Sequence, residues 1–253
     1  MASYTTRYSN YSNYQLNALY TTQNWNNLSS EERLDALQEL ANRSAEDLGN
    51  TPCEVILEDM NGSEYGYQLG GRIYVNRSLV QDGKLNYMDD KGNIIQSYTP
   101  KDTNAQLMDT IHHENFHAYQ IEAIEGKISH DDTRELQTWT ANDAYYIDSG
   151  TFYRIQSIES SAFNHGEDKT KSAFEELSIE FGEDQGYQEY LNSIDANSYD
   201  AALAKAQDET GDENIQQTLD DSMISAYIED FGGFDFDEDT ASSEEGDGDG
   251  DSM

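Results

Sequence analysis

Ile111-His112-His113-Glu114-Asn115-Phe116-His117-Ala118-Tyr119-Gln120 holds three of the chain's five histidines and contains the pattern H-E-x-x-H. Its surroundings read as one helix. Leu107, Ile111, Ala118, Ile121 and Ile124 recur along one side, Thr103 with Gln106 forms a candidate capping pair, and Gly126 ends the run. On such a helix residues i and i+4 are neighbours, about 5–6 Å apart at Cβ. Two imidazoles so placed can converge on one zinc ion at bond lengths of about 2.0–2.1 Å. Glu114 projects about 100° away, beside the ion rather than onto it. There it can take a proton from a zinc-bound water and return it to a leaving amine. The competing reading is a surface helix with solvated histidines. The scarcity of histidine elsewhere and the apolar flanks favour the metal.

On the N-terminal side, the period changes. Residues 53–57, 65–69, 72–75 and 94–98 read as short strands, with Asn61-Gly62, Gly70-Gly71, Asp82-Gly83 and Lys91-Gly92-Asn93 as turns. This predicts a small, mostly antiparallel sheet. Before it, Ser29 with Glu32 makes a capping box for a helix carrying Leu34, Leu37, Leu40, Ala41 and Leu48, and Gly49 stops it. Residues 1–27 are rich in Tyr, Ser and Asn and read as a weakly ordered arm anchored by Trp25 and Leu28. On the C-terminal side, helices are expected at 131–148, 151–164, 170–181, 185–193, 198–207 and 213–229. The fold class is therefore α+β: a sheet packed on the motif helix, followed by a mainly helical half, with one domain over 28–230.

The 253 residues carry a net charge of −37, which opposes binding to nucleic-acid backbones or anionic membranes and favours basic partners. No Lys or Arg follows Lys205, and residues 231–253 read as a disordered acidic tail. Asp247, Asp249 and Asp251 alternate there without the Gly and Glu that a calcium loop needs. No apolar run approaches the ~20 residues of a membrane span. The N-terminus lacks a signal-peptide pattern, so the expected location is the cytoplasm or, by way of a dedicated secretion machine, outside the cell. Cys53 is the only cysteine, which excludes an internal disulfide and a cysteine-based zinc site; it reads as a buried structural thiol.

Taken with the sheet before it, the motif helix resembles the zincin metallopeptidases over roughly residues 30–180. The metzincin branch is excluded, because Gln120 and Ala123 stand where its Gly and third His belong. The aspzincin G-T-x-x-D is not met, since Gly150-Thr151-Phe152-Tyr153 is followed by Arg154. The gluzincin branch takes a Glu from a later helix, and Glu159 fits. The chain also looks like bacterial zincin-like effector or toxin domains that pair H-E-x-x-H-A-Y-Q with a later Y-x-x-Q-P-x-E-x-D-A. His117-Ala118-Tyr119-Gln120 matches the first part, and Tyr153, Gln156, Glu159 and Ala162 match the second. Ser157 and Ser161 replace the Pro and the Asp.

The resemblance implies a Zn2+ site made by His113, His117 and Glu159, with His165 as the rival third ligand, and hydrolysis of peptide or protein substrates. Asp143 or Asp148 would replace the missing Asp that orients the histidines. A tetrahedral intermediate also needs a donor for its oxyanion, and Tyr153 leads a group that includes Tyr145, Tyr146 and Arg154. His112 reads as solvent-facing, His130 as a cap or surface residue, and Trp139 as core. The alternatives are a non-catalytic protein that uses zinc only to hold its fold, and a secreted effector built on the same scaffold.

Overall fold

The computed structural model describes residues 3–234. Two short helices, α1 (Asn13–Ala18) and α2 (Thr22–Asn27), open the chain, and they correct the expectation of a weakly ordered arm. The tyrosines that make the composition look linker-like supply bulk to the core. Tyr8, Leu16, Tyr20 and Trp25 are buried, and the Tyr20 and Trp25 rings stack with centroids 5.1 Å apart. Arg43 gathers the segment by donating to Asn13 Oδ1 and to the Tyr11 carbonyl. Asp184 accepts from both the backbone N–H and the hydroxyl of Thr22.

Helix α3 (Ser30–Leu48) starts at the expected Ser29–Glu32 capping box and ends at Gly49, whose φ of 80° is the left-handed conformation that glycine adopts without cost. Next come β1 (Glu54–Glu58), β2 (Gly66–Leu69), β3 (Arg72–Asn76), a short helix α4 (Arg77–Asp82), and the strands β4 (Leu85–Met88) and β5 (Ile94–Tyr98). The strands form two sheets rather than one, and one of their three pairings among the described residues is parallel. The first sheet has the order β1-β3-β2, with β1 parallel and β2 antiparallel to the central β3, while β4 and β5 form a separate hairpin. The chain reverses twice between β1 and β3, so those two run the same way. Ile73 and Val75 of β3 are fully buried. β2 is left as an edge strand.

The central helix α5 (Thr103–Ile124) carries the H-E-x-x-H segment. Asp102, not Thr103, is its N-cap, and the Thr103 hydroxyl bonds the Pro100 carbonyl, so the expected Thr103–Gln106 capping box does not form. Helix α6 (Thr133–Ala144) follows, then turns over 150–155, then α7 (Ser157–Phe181), α8 (Gln185–Ala196), α9 (Tyr199–Thr210) and α10 (Ile215–Phe231). α7 is one continuous helix where two had been expected. Gly166 does not break it, because the helix is held along its length against α5. The acidic tail and its Asp247–Asp251 alternation lie outside the described residues, apart from the segment up to Phe234. None of the described helices is long and apolar enough to cross a membrane.

Two glycines set the spacing around α5. A Cβ at Gly66 would stand 2.7 Å from the Tyr74 carbonyl oxygen and 2.8 Å from Thr110 Cγ2, so only glycine lets β2 lie this close to the helix. A Cβ at Gly166 would meet the Asp109 carbonyl oxygen at 3.0 Å and His113 Cβ at 3.3 Å, so α7 likewise touches α5 at the motif. Glu159 precedes Gly166 by two helical turns and therefore shares its α5-facing stripe with Ala162, Thr170 and Leu177, all of them buried.

Candidate metal centre

The side chains of His113, His117 and Glu159 converge. One ligand atom from each lies within 4.8 Å of the other two. His113 Nε2 and His117 Nε2 are 3.0 Å apart, and Glu159 Oε1 is 3.3 Å from His117 Nε2. Glu159 Oε2 is buried without a hydrogen-bond partner, 3.6 Å from His113 Nε2. A buried carboxylate oxygen left without a donor is costly. This orphaned oxygen, with two imidazole nitrogens beside it, is a donor set that suits a divalent ion accepting N and O ligands. Glu114 Oε1 stands 3.9 Å from His113 Nε2, beside the trio rather than within it.

Burial and mutual charge govern the protonation of the group. Burial and the neighbouring His117 hold His113 down at about 3. Burial would also lower His117, but the hydrogen bond and charge of Glu159, with help from Glu114, reverse the sign and raise it. Glu159 moves the other way: burial would raise it, and the His117 bond, the His113 charge and Tyr146 pull it down. In the metal-free protein a proton on His117 thus offsets the Glu159 charge. Burial lifts the Glu114 carboxyl to about 7, opposed by His117 and by a hydrogen bond from the Gln68 backbone N–H on edge strand β2.

These residues form the floor of an open cleft of about 580 Å³ between β2, α5 and the start of α7. Tyr65 to Gln68 form one wall, and Tyr146, Tyr153 and Phe163 form the other. The Tyr146 phenol donates to Glu159 Oε1, and Tyr153 stands beside both groups. Tyr153 does not share a helix with Glu159, although both fall within the helix expected at 151–164. It lies in the turns before α7, which fold it back over the carboxylate. In the same wall the Phe163 ring packs on the His113 imidazole with centroids 4.4 Å apart, and the Arg154 guanidinium lies 3.8 Å from the centroid of the same Phe163 ring. Arg154 is engaged with Glu167, and Tyr145 donates to Asp230 on α10, so neither lines the cleft.

The rival third ligand is corrected. His165 stacks on Phe116 at 4.7 Å and meets His112 edge-on, outside the cleft. His112 does not face solvent: it is buried and its Nδ1 lies 3.2 Å from Ser44 Oγ on α3. His130 bridges the Tyr119 phenol and Glu135. Trp139 and Cys53 are core, as expected, and burial pushes the Cys53 thiol up to about 11. Asp143 lies on the cleft rim and Asp148 bonds Ser149; among the described residues neither bonds a motif histidine. The partner of His117 is Gln120, whose Oε1 is 2.8 Å from Nδ1. In the sequence Gln120 serves to match one motif and to exclude another, and no role at the site is read for it. Its position three residues after His117, on the same helical face, was the signal.

No protein-family model, no curated protein and no solved structure matches the chain.

Proposed function

We propose that the protein is a zinc-dependent metallopeptidase of the zincin type, with His113, His117 and Glu159 as the metal ligands and Glu114 as the general base. The observation that carries this reading is the meeting of two imidazoles from one helix and a buried carboxylate from another on the floor of an open cleft, with a second carboxylate, Glu114, left out of the trio. Zinc, when bound there, supplies a Lewis acid that polarises a scissile carbonyl and makes water acidic enough to attack at neutral pH.

The chain's own groups carry the rest. Glu114 takes the proton of the attacking water as the new C–O bond forms, and passes it to the amine nitrogen as the C–N bond breaks. Its raised pKa, near neutrality, suits both roles. The hydrogen bond from the Gln68 N–H holds its carboxylate toward the cleft. Tyr153 and Tyr146 present phenol O–H donors on the opposite wall, where negative charge develops on the carbonyl oxygen. To serve there, the Tyr146 phenol must release Glu159. The open edge of β2 can pair with an extended peptide by strand addition, which fixes the scissile bond over the floor. Glu64 and Asp143 on the rim, with the net charge of −37, favour substrates that carry basic residues.

The structural-zinc alternative is weaker, because His165 is turned away and the trio opens onto the cleft rather than being closed by a fourth side chain. Hydrolysis of a mixed-sequence peptide library by the zinc-loaded protein tests the proposal, with the Glu114→Gln variant as the control. Loss of cleavage with zinc retained is the expected result.

A further inference from the structure

We infer that Gln120 is the positioning residue of this centre: its buried amide locks His117 as the Nδ1–H tautomer, leaves Nε2 as the donor atom, and ties that ring to the backbone that carries Glu159. The inference rests on the reading of His113, His117 and Glu159 as metal ligands.

Gln120 is wholly buried on α5. Its amide makes two hydrogen bonds. Nε2 donates to the Ile158 carbonyl at 2.9 Å, and Oε1 lies 2.8 Å from His117 Nδ1. The orientation follows from what each partner can do. A backbone carbonyl has no proton to give, so only the NH2 end of the amide can face Ile158. The other end is then the amide oxygen, which only accepts. His117 Nδ1 must therefore carry a proton, and in the neutral ring the free lone pair sits on Nε2. That is the nitrogen facing Glu159 Oε1 and His113 Nε2. The tautomer of a ligand on α5 is thus set, through one amide, by a carbonyl on α7.

Ile158 immediately precedes Glu159. Its N–H is held in turn by Asn142 Oδ1 at 3.0 Å, on α6. Gln120 therefore couples two ligands, one through its ring and the other through its backbone, and the coupling continues to a third helix. Unlike the carboxylates that often orient metal-bound histidines, the amide adds no charge. Glu159 stays the one anion among the three ligands.

The test uses the full chain, zinc titration and imidazole 15N NMR. In the wild type, at a pH where the ring is neutral, His117 should show a protonated Nδ1, with the Nε2 resonance shifting on zinc addition. Gln120→Leu, of similar size but without polar atoms, should bind zinc about 10- to 100-fold more weakly and lose the single tautomer. Gln120→Glu, which keeps an acceptor for Nδ1–H, should recover the tautomer. Equal zinc affinity in wild type and Gln120→Leu would overturn the role of Gln120 and leave the metal reading standing. Failure of the wild type to take up zinc would overturn that reading, and this inference with it. If Gln120→Leu does not fold, the wild-type spectrum still decides: zinc on Nδ1, or a proton on Nε2 in the loaded protein, contradicts the inference.

Discussion

Glu159 Oε1 stands 3.3 Å from His117 Nε2, although one residue belongs to α7 and the other to α5. In the metal-free protein this contact is an ion pair, because His117 is raised and Glu159 lowered. A divalent ion must displace the His117 proton to bind. Zinc affinity should therefore increase as pH rises toward about 9, the raised value of His117, by about tenfold per unit where one proton is released, and level off above it. The ion pair's own contribution to stability has the opposite slope there: it is full between about 4.5 and 6.5, fades as pH climbs through about 9, and is also lost in acid as Glu159 takes up a proton. Calorimetric titration in buffers of different ionisation enthalpy would measure the released proton. Glu159→Ala should abolish stoichiometric zinc at every pH, and a variant that keeps zinc would remove Glu159 from the centre.

The close approach of α7 to α5 depends on Gly166. Gly166→Ala places a methyl group against the Asp109 backbone and His113 Cβ, neither of which can swing away. Overpacking of this kind costs about 1–3 kcal/mol. Since Glu159 rides on the same helix, zinc affinity should fall with stability. Thermal unfolding and zinc titration of the variant would check both effects.

Tyr146 and Tyr153 are exchangeable for Phe with little loss of packing. Tyr146→Phe frees Glu159 from one donor, so zinc binding should be kept. If either phenol stabilises the oxyanion, its removal should lower kcat by about 10²–10³ with KM little changed. The variant with the larger loss identifies the principal donor. Steady-state kinetics of the two single variants on one library-derived peptide would separate them.

The legibility of this fold in its sequence was uneven, for physical reasons. His113, Glu114 and His117 stand out because helical geometry turns their spacing into a shape. Ser29, Glu32 and Gly49 bound α3 as written, since capping is local. Glu159 was reached only through a family resemblance; as a residue it is one Glu among many. The parallel pairing of β1 with β3 was hidden because alternation in a strand does not reveal the direction of its neighbour. The N-terminal tyrosines resembled a linker by composition, yet Tyr8 and Tyr20 are core. Least legible was the meeting of Tyr146 and Tyr153 over Glu159. The irregular path from 145 to 156 is set by the Gln156 amide, which accepts from the Ile147 N–H and donates to the Ile147 carbonyl. No local pattern encodes that clamp.

The most direct test of the metallopeptidase reading is a paired measurement on the wild type and Glu114→Gln: zinc content by mass spectrometry, and cleavage of a mixed-sequence peptide library. The wild type should hold one zinc per chain and cut. Glu114→Gln should hold the same zinc and cut slower by about 10²–10⁴, the usual share of a general base. Unchanged cleavage by the variant, or a zinc-free wild type, would contradict the account.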